Sequence, residues 1–114
     1  MVPRSLEAAE ALAGEGIDAE VIDLRSLVPL DWDCVLSSVS RTHRAMVVHE
    51  AAKTAGPGAE IAAQIQERIF FDLEAPVMRL GARDFPLAQH ADLEALAIPS
   101  VDAIAAMARE LAAI

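Results

Sequence analysis

The chain has 114 residues, 54% of them hydrophobic and 24% charged. That is one domain's worth of sequence, enough to bury about two-thirds of the surface its unfolded form would expose, and too well patterned for disorder. Nine basic against eighteen acidic residues give a formal charge of −9 with no positive cluster, which excludes the phosphate-neutralising stripe that nucleic acid binding needs. A single cysteine, Cys34, excludes an internal disulfide, and with no eighteen-residue apolar run and no signal-like start the sequence predicts a soluble cytoplasmic protein off the membrane.

The first predicted element is a helix. Leu6, Ala9, Leu12 and Ala13 share one face, Ser5 stands where it could cap, and Gly14 and Gly16 end the helix before the next segment. Ala19 to Leu24 then read as a strand, because Val21, Ile22 and Leu24 form an apolar run of buried type. Within seven residues the chain reaches Pro29-Leu30-Asp31, where Pro ends the extended segment and Asp can cap a helix. A strand that feeds a helix this quickly belongs to an α/β unit. The helix from Asp31 buries Val35, Leu36 and Val39 and ends near Arg41-Thr42-His43. Cys34 lies within it without an adjacent base, which predicts a buried, unreactive thiol.

Ala45 to His49 is the next strand, apolar on both faces as parallel strands covered by helices are. After Gly56-Pro57-Gly58, residues Ile61, Ile65, Ile69 and Leu73 recur at four-residue steps and form one stripe of a long helix. Pro76 to Leu80 is a third strand, Gly81 to His90 a loop and Asp92 to Ala97 a short helix. Ser100 caps a last helix that buries Val101, Ile104, Ala108 and Leu111.

This alternation predicts an α/β fold, a three-layer α/β/α sandwich with a mostly parallel sheet, in a single domain covering residues 1–114. The chain opens directly into a helix, so the strand that normally precedes such a helix is absent. Met1 to Pro3 could hold a stub of it, the domain could have been cut, or another chain could fill the vacant sheet position.

Three groups of residues are candidates for chemistry or contact. His49-Glu50 at a strand end has the residue types of an acid/base or metal pair, at the end of a parallel sheet where ligands bind. No third ligand stands at a metal-like spacing, so the pair reads as structural or interface hydrogen bonding. Gly56-Pro57-Gly58 could cradle an anion on free N–H groups, but no Lys follows and Glu60 would repel a phosphate, so it reads as a helix start. Phe70 and Phe71 cannot both share the Ile69 and Leu73 stripe, which turns at least one towards a partner surface; with Trp32 they are the notable aromatics.

Val21-Ile-Asp-Leu-Arg-Ser-Leu-Val-Pro-Leu-Asp31, Met46-Val-Val-His-Glu50, Gly58-Ala-Glu-Ile61, Ala75-Pro-Val-Met-Arg79, and Leu93-Glu94 with Ile98-Pro-Ser100 occur in this order. Together they resemble the C-terminal domain of the beta subunit of the first component of 2-oxoacid dehydrogenase complexes, a member of the transketolase C-terminal-domain family. The likeness covers nearly the whole chain. The Pro-Leu-Asp element alone is shared with transketolases and deoxyxylulose-phosphate synthase; Val-Val-His-Glu followed by Gly-Ala-Glu-Ile is more specific. Family members usually read Thr-Gly-Gly-x-Gly before Ala-Glu-Ile, whereas this chain has Thr54-Ala55-Gly56-Pro57-Gly58.

The resemblance implies an oxidoreductase of several subunits that uses thiamin diphosphate and Mg to decarboxylate a 2-oxo acid and passes the acyl group to a lipoyl arm. The residues that hold and activate that cofactor lie in the alpha subunit and in the preceding domain of the beta subunit. This chain is therefore expected to bind no cofactor or metal, to carry no catalytic residue and to serve in assembly. Its implied partners are an alpha subunit, a second beta subunit and the small basic binding domain of the acyltransferase. Asp84 and Ile114 occupy positions comparable to the acidic side chain and terminal carboxylate that dock this last domain. Phe70, Phe71, His49 and Glu50 are the expected interface residues, and homo-oligomerisation is expected. The other readings are a free-standing, non-enzymatic binding module of the same fold, or the C-terminal domain of a transketolase or deoxyxylulose-phosphate synthase relative.

Overall fold

The computed structural model describes residues 1–84 and 90–114. Helix α1 (Val2–Ala13) is followed by a stretch without turn or bend from Ile17 to Ser26 and then by α2 (Trp32–Thr42). Strand β1 (Met46–Ala52), α3 (Pro57–Ile69), strand β2 (Met78–Ala82), α4 (Ala91–Ala97) and α5 (Val101–Ala112) complete the order. The two strands run parallel, with Met46 opposite Met78, Val47 opposite Arg79 and Val48 opposite Leu80.

Side-chain alternation along β1 builds the layers. Val47 packs with Val35 and Val39 of α2 and Ile61, Ala62 and Ile65 of α3. Met46 and Val48, pointing the other way, pack with Ala8 and Leu12 of α1 and Ile104 and Ala105 of α5. Two apolar clusters on opposite faces of one sheet are the three-layer α/β/α sandwich that apolar strands between amphipathic helices predict.

Caps at two helices follow the sequence. The Asp31 carboxylate accepts from the backbone N–H of Cys34 at 3.0 Å, and the Ser100 hydroxyl oxygen accepts from that of Ala103 at 3.1 Å. The C-terminus of α2 closes on His43, which adopts a left-handed φ of 61° and donates its N–H to the Val39 carbonyl at 2.7 Å.

Six expectations are corrected. Ala19–Leu24 forms no strand, although Ile22 and Leu24 pack against the α2/α3 cluster as a buried strand would. A ladder needs a neighbour, and among the described residues β1 pairs only with β2. Ser5 is not a cap: Pro3, whose lost N–H is harmless in a first turn, lets α1 begin at Val2. Ala8 and Leu12 form the buried face of α1, whereas Leu6 is 54% exposed. Cys34 is exposed, because Val35 and Val39, four residues apart, take the inward stripe of α2. Leu73 is outside α3, which ends at Ile69 and passes into a single 3-10 turn, Phe70–Asp72. The expected loop Gly81 to His90 begins later, since β2 runs through Ala82; its residues 85–89 are outside the described residues.

Candidate functional site

The carboxyl ends of the two strands meet in a cluster built on His49. In β1, His49 falls on the side of Val47, and its imidazole enters a space bounded by three glycines. Gly56 and Gly58 open α3, with Pro57 between them in its first turn, and Gly81 lies in β2. A Cβ at Gly58 would overlap the imidazole Nε2, and one at Gly81 would stand 2.8 Å from its Cε1. Glycine is required at Gly58 and Gly81 so that the ring can pack against backbone. Both ring nitrogens are buried without a hydrogen-bond partner among the described residues. Among the described residues the contacts of His49 are packing contacts. Glu50 is exposed and accepts from the Met1 ammonium at 3.2 Å.

Beyond the strand ends, two loops are tied together. The Thr54 hydroxyl donates to Asp84 Oδ2, the Thr54 N–H reaches Asp84 Oδ1 at 3.4 Å, and Arg79 Nη1 donates to the Lys53 carbonyl at 3.1 Å. Between them Ala55 takes a left-handed φ of 56°, at the place where the chain departs from the glycine pair expected of its relatives. Asp84 is exposed, directly after β2, and already committed to Thr54. Ile114 is 60% exposed at the end of the chain. Among the described residues no hydrogen bond or ion pair joins Asp84 to Ile114.

Phe70 and Phe71 both face solvent, at 62% and 98% exposure, with ring centroids 5.5 Å apart in an edge-to-face pair. The 3-10 turn is responsible, since it takes both residues off the α3 stripe. Trp32 instead packs against the α2/α3 cluster under the Arg68 guanidinium, 4.6 Å from the ring centroid.

The residues present do not fit a diphosphate or its metal. Among the described residues no group of three His, Cys, Asp or Glu side chains could hold a metal ion. The Gly56–Gly58 turn is filled by the imidazole, and Glu60 adds negative charge to the first turn of α3. What the arrangement offers is contact: paired exposed aromatics, an acidic surface and a fixed loop cluster. Sequence reasoning missed Gly81 as a wall of the His49 pocket and the Thr54–Asp84 tie. A glycine inside a strand pattern is a signal of close backbone approach and could have pointed to the first.

The family description "Transketolase, C-terminal domain" matches residues 1–104. The pyruvate dehydrogenase E1 component subunit beta of Bacillus subtilis is 50% identical over 91 residues, 78% of this chain and 28% of that protein. The corresponding subunit of Leifsonia xyli is 47% identical over 104 residues, 91% of this chain and 31% of that protein. That of Porphyra purpurea is 50% identical over 88 residues, 77% of this chain and 27% of that protein. The chain thus spans less than a third of the length of these curated relatives.

Proposed function

The chain belongs to the transketolase C-terminal-domain family, and from that premise we propose that it is an assembly and partner-docking domain of a thiamin diphosphate-dependent 2-oxoacid dehydrogenase, with no catalysis of its own. The carrying observation is identity near 50% to pyruvate dehydrogenase E1 beta subunits over three-quarters of the chain, confined to less than a third of each relative. Partners on this reading are an alpha subunit and a second beta subunit, with cytoplasm as the compartment. Exposed Phe70 and Phe71 support the reading, because an edge-to-face aromatic pair in water is a contact surface waiting for cover.

A second contact is proposed at Asp84 and Ile114, where the basic binding domain of an acyltransferase would be steered by a surface of formal charge −9. Binding there would weaken with salt.

The test is co-purification of the full chain with recombinant alpha and beta subunits of the Bacillus subtilis enzyme, read by light scattering after gel filtration. We expect a mixed complex, weakened at least tenfold by Phe71→Ser, while the unfolding free energy of that variant stays within the about 0.5 kcal/mol usual for surface changes. Asp84→Asn is expected to weaken binding of the acyltransferase domain at 50 mM salt and to matter less at 500 mM. Failure to join either subunit, or decarboxylation of pyruvate by the chain alone, would sink the proposal.

A further inference from the structure

Between α3 and β2 the chain makes a turn that is tied to another helix. Ile69 and Leu73, on either side of the 3-10 turn Phe70–Asp72, both pack against the α2/α3 cluster, and the Leu73 N–H donates to the Phe70 carbonyl at 3.2 Å. Apolar anchors thus hold both ends of the turn. Polar contacts then join its far side to the C-terminal end of α2. The Ser40 hydroxyl donates to Asp72 Oδ2 at 2.6 Å, and His43 Nδ1 lies 2.8 Å from the Asp72 carbonyl oxygen. Since a carbonyl only accepts, the ring proton belongs on Nδ1. The Glu74 N–H donates to the His43 carbonyl at 2.9 Å, and Arg44 Nη1 donates to Glu74 Oε2 at 2.7 Å.

We propose that Asp72, held by Ser40 and His43, is the positioning residue that aims the Phe70–Phe71 pair at a partner subunit, a role that rests on the docking reading above. Phe70 is 62% exposed and Phe71 98%, so neighbouring side chains give the rings little guidance and the backbone beneath them sets their direction. A 3-10 turn of three residues is a weakly hydrogen-bonded piece of backbone to rely on. Asp72 is its last residue, next to Phe71, and reaches α2 through its side chain and its residue's carbonyl at once. Two bonds from different atoms of one residue stop the peptide after Phe71 from rotating.

The contacts do little else. The Ser40–Asp72 bond and the Arg44–Glu74 pair lie at the surface, where water competes for the same groups and the net gain in stability is small. Orientation is what they add. Rings that already stand in the direction of docking lose less freedom when a partner closes over them, so affinity gains where the fold does not.

The test uses the full chain with 13C-labelled phenylalanine rings and the recombinant alpha and beta subunits of the docking experiment. In the free parent, inter-ring nuclear Overhauser contacts should report the edge-to-face pair, whose centroids are 5.5 Å apart. Asp72→Ala should lose those contacts while its circular dichroism and unfolding midpoint stay near the parent's. Asp72→Asn keeps an oxygen that can accept from Ser40 and should keep them. Affinity for the subunits should follow the same order, about fivefold or more weaker for Asp72→Ala and near the parent's for Asp72→Asn. Ser40→Ala should weaken binding in the parent and change nothing in the Asp72→Ala background. It also carries the comparison if Asp72→Ala does not fold, since it leaves the sequence of the turn intact. Ring contacts that survive Asp72→Ala, or equal affinity of that variant and the parent for a subunit the parent binds, would overturn the positioning role alone. A parent chain that joins neither subunit would overturn the docking reading and the positioning role with it.

Discussion

Ala55 holds a φ of 56°, where an L side chain crowds its own backbone and glycine does not. Ala55→Gly should therefore stabilise the chain by up to about 1 kcal/mol, the strain relieved being partly offset by the greater freedom of glycine in the unfolded state. A denaturant midpoint at or below that of the parent would refute this. The opposite sign is expected three residues on. Gly58→Ala drives a methyl into the His49 ring and towards the Val47 side chain, an overpacking that costs about 1–3 kcal/mol. Because the clash is with one side chain, the cost should fall by more than half in a His49→Ala background. Additive effects of the two substitutions would show that the ring is not what fixes glycine there.

Between elements, one ion pair has a traceable pH dependence. Arg109 of α5 donates Nε and Nη2 to the two carboxylate oxygens of Glu15, at 2.6 and 2.7 Å, tying α5 to the turn after α1. That paired hydrogen bond holds the Glu15 carboxyl below its usual range, against a smaller opposing effect of burial. A carboxyl with a lowered folded pKa contributes stability above its unfolded pKa and loses it as pH falls through the folded value. Arg109→Gln should thus lower the melting temperature slightly at pH 7. The gap to the parent should close as pH falls below about 4, the ordinary range for a glutamate. A gap that stays constant down to pH 3 would assign the effect to packing.

Elements were legible in the sequence to different degrees for physical reasons. Asp31 and Ser100 cap their helices as read, because a cap is a local interaction within three residues. The end of α3 was not legible: Leu73 continues the four-residue apolar spacing, yet the backbone turns at Ile69, at φ −135°. Val21, Ile22 and Leu24 carry the pattern of a strand, but a ladder depends on a neighbour that the pattern does not supply. The His49 pocket joins Gly56 and Gly58 to Gly81, more than twenty residues apart, so only the tertiary fold reveals it.

At the scale of the molecule, a sheet of two parallel strands lies between two helical layers, with an open channel beside β1. With a sheet this small, stability rests on the helical layers, and Leu12 and Ile65, both nearly fully buried, sit in opposite clusters. Leu12→Ala and Ile65→Ala should each cost about 2–5 kcal/mol in denaturant unfolding. The two costs should add to within about 0.5 kcal/mol, as expected of sites that share no neighbour, and strong coupling in the double variant would mean that the two layers form one core.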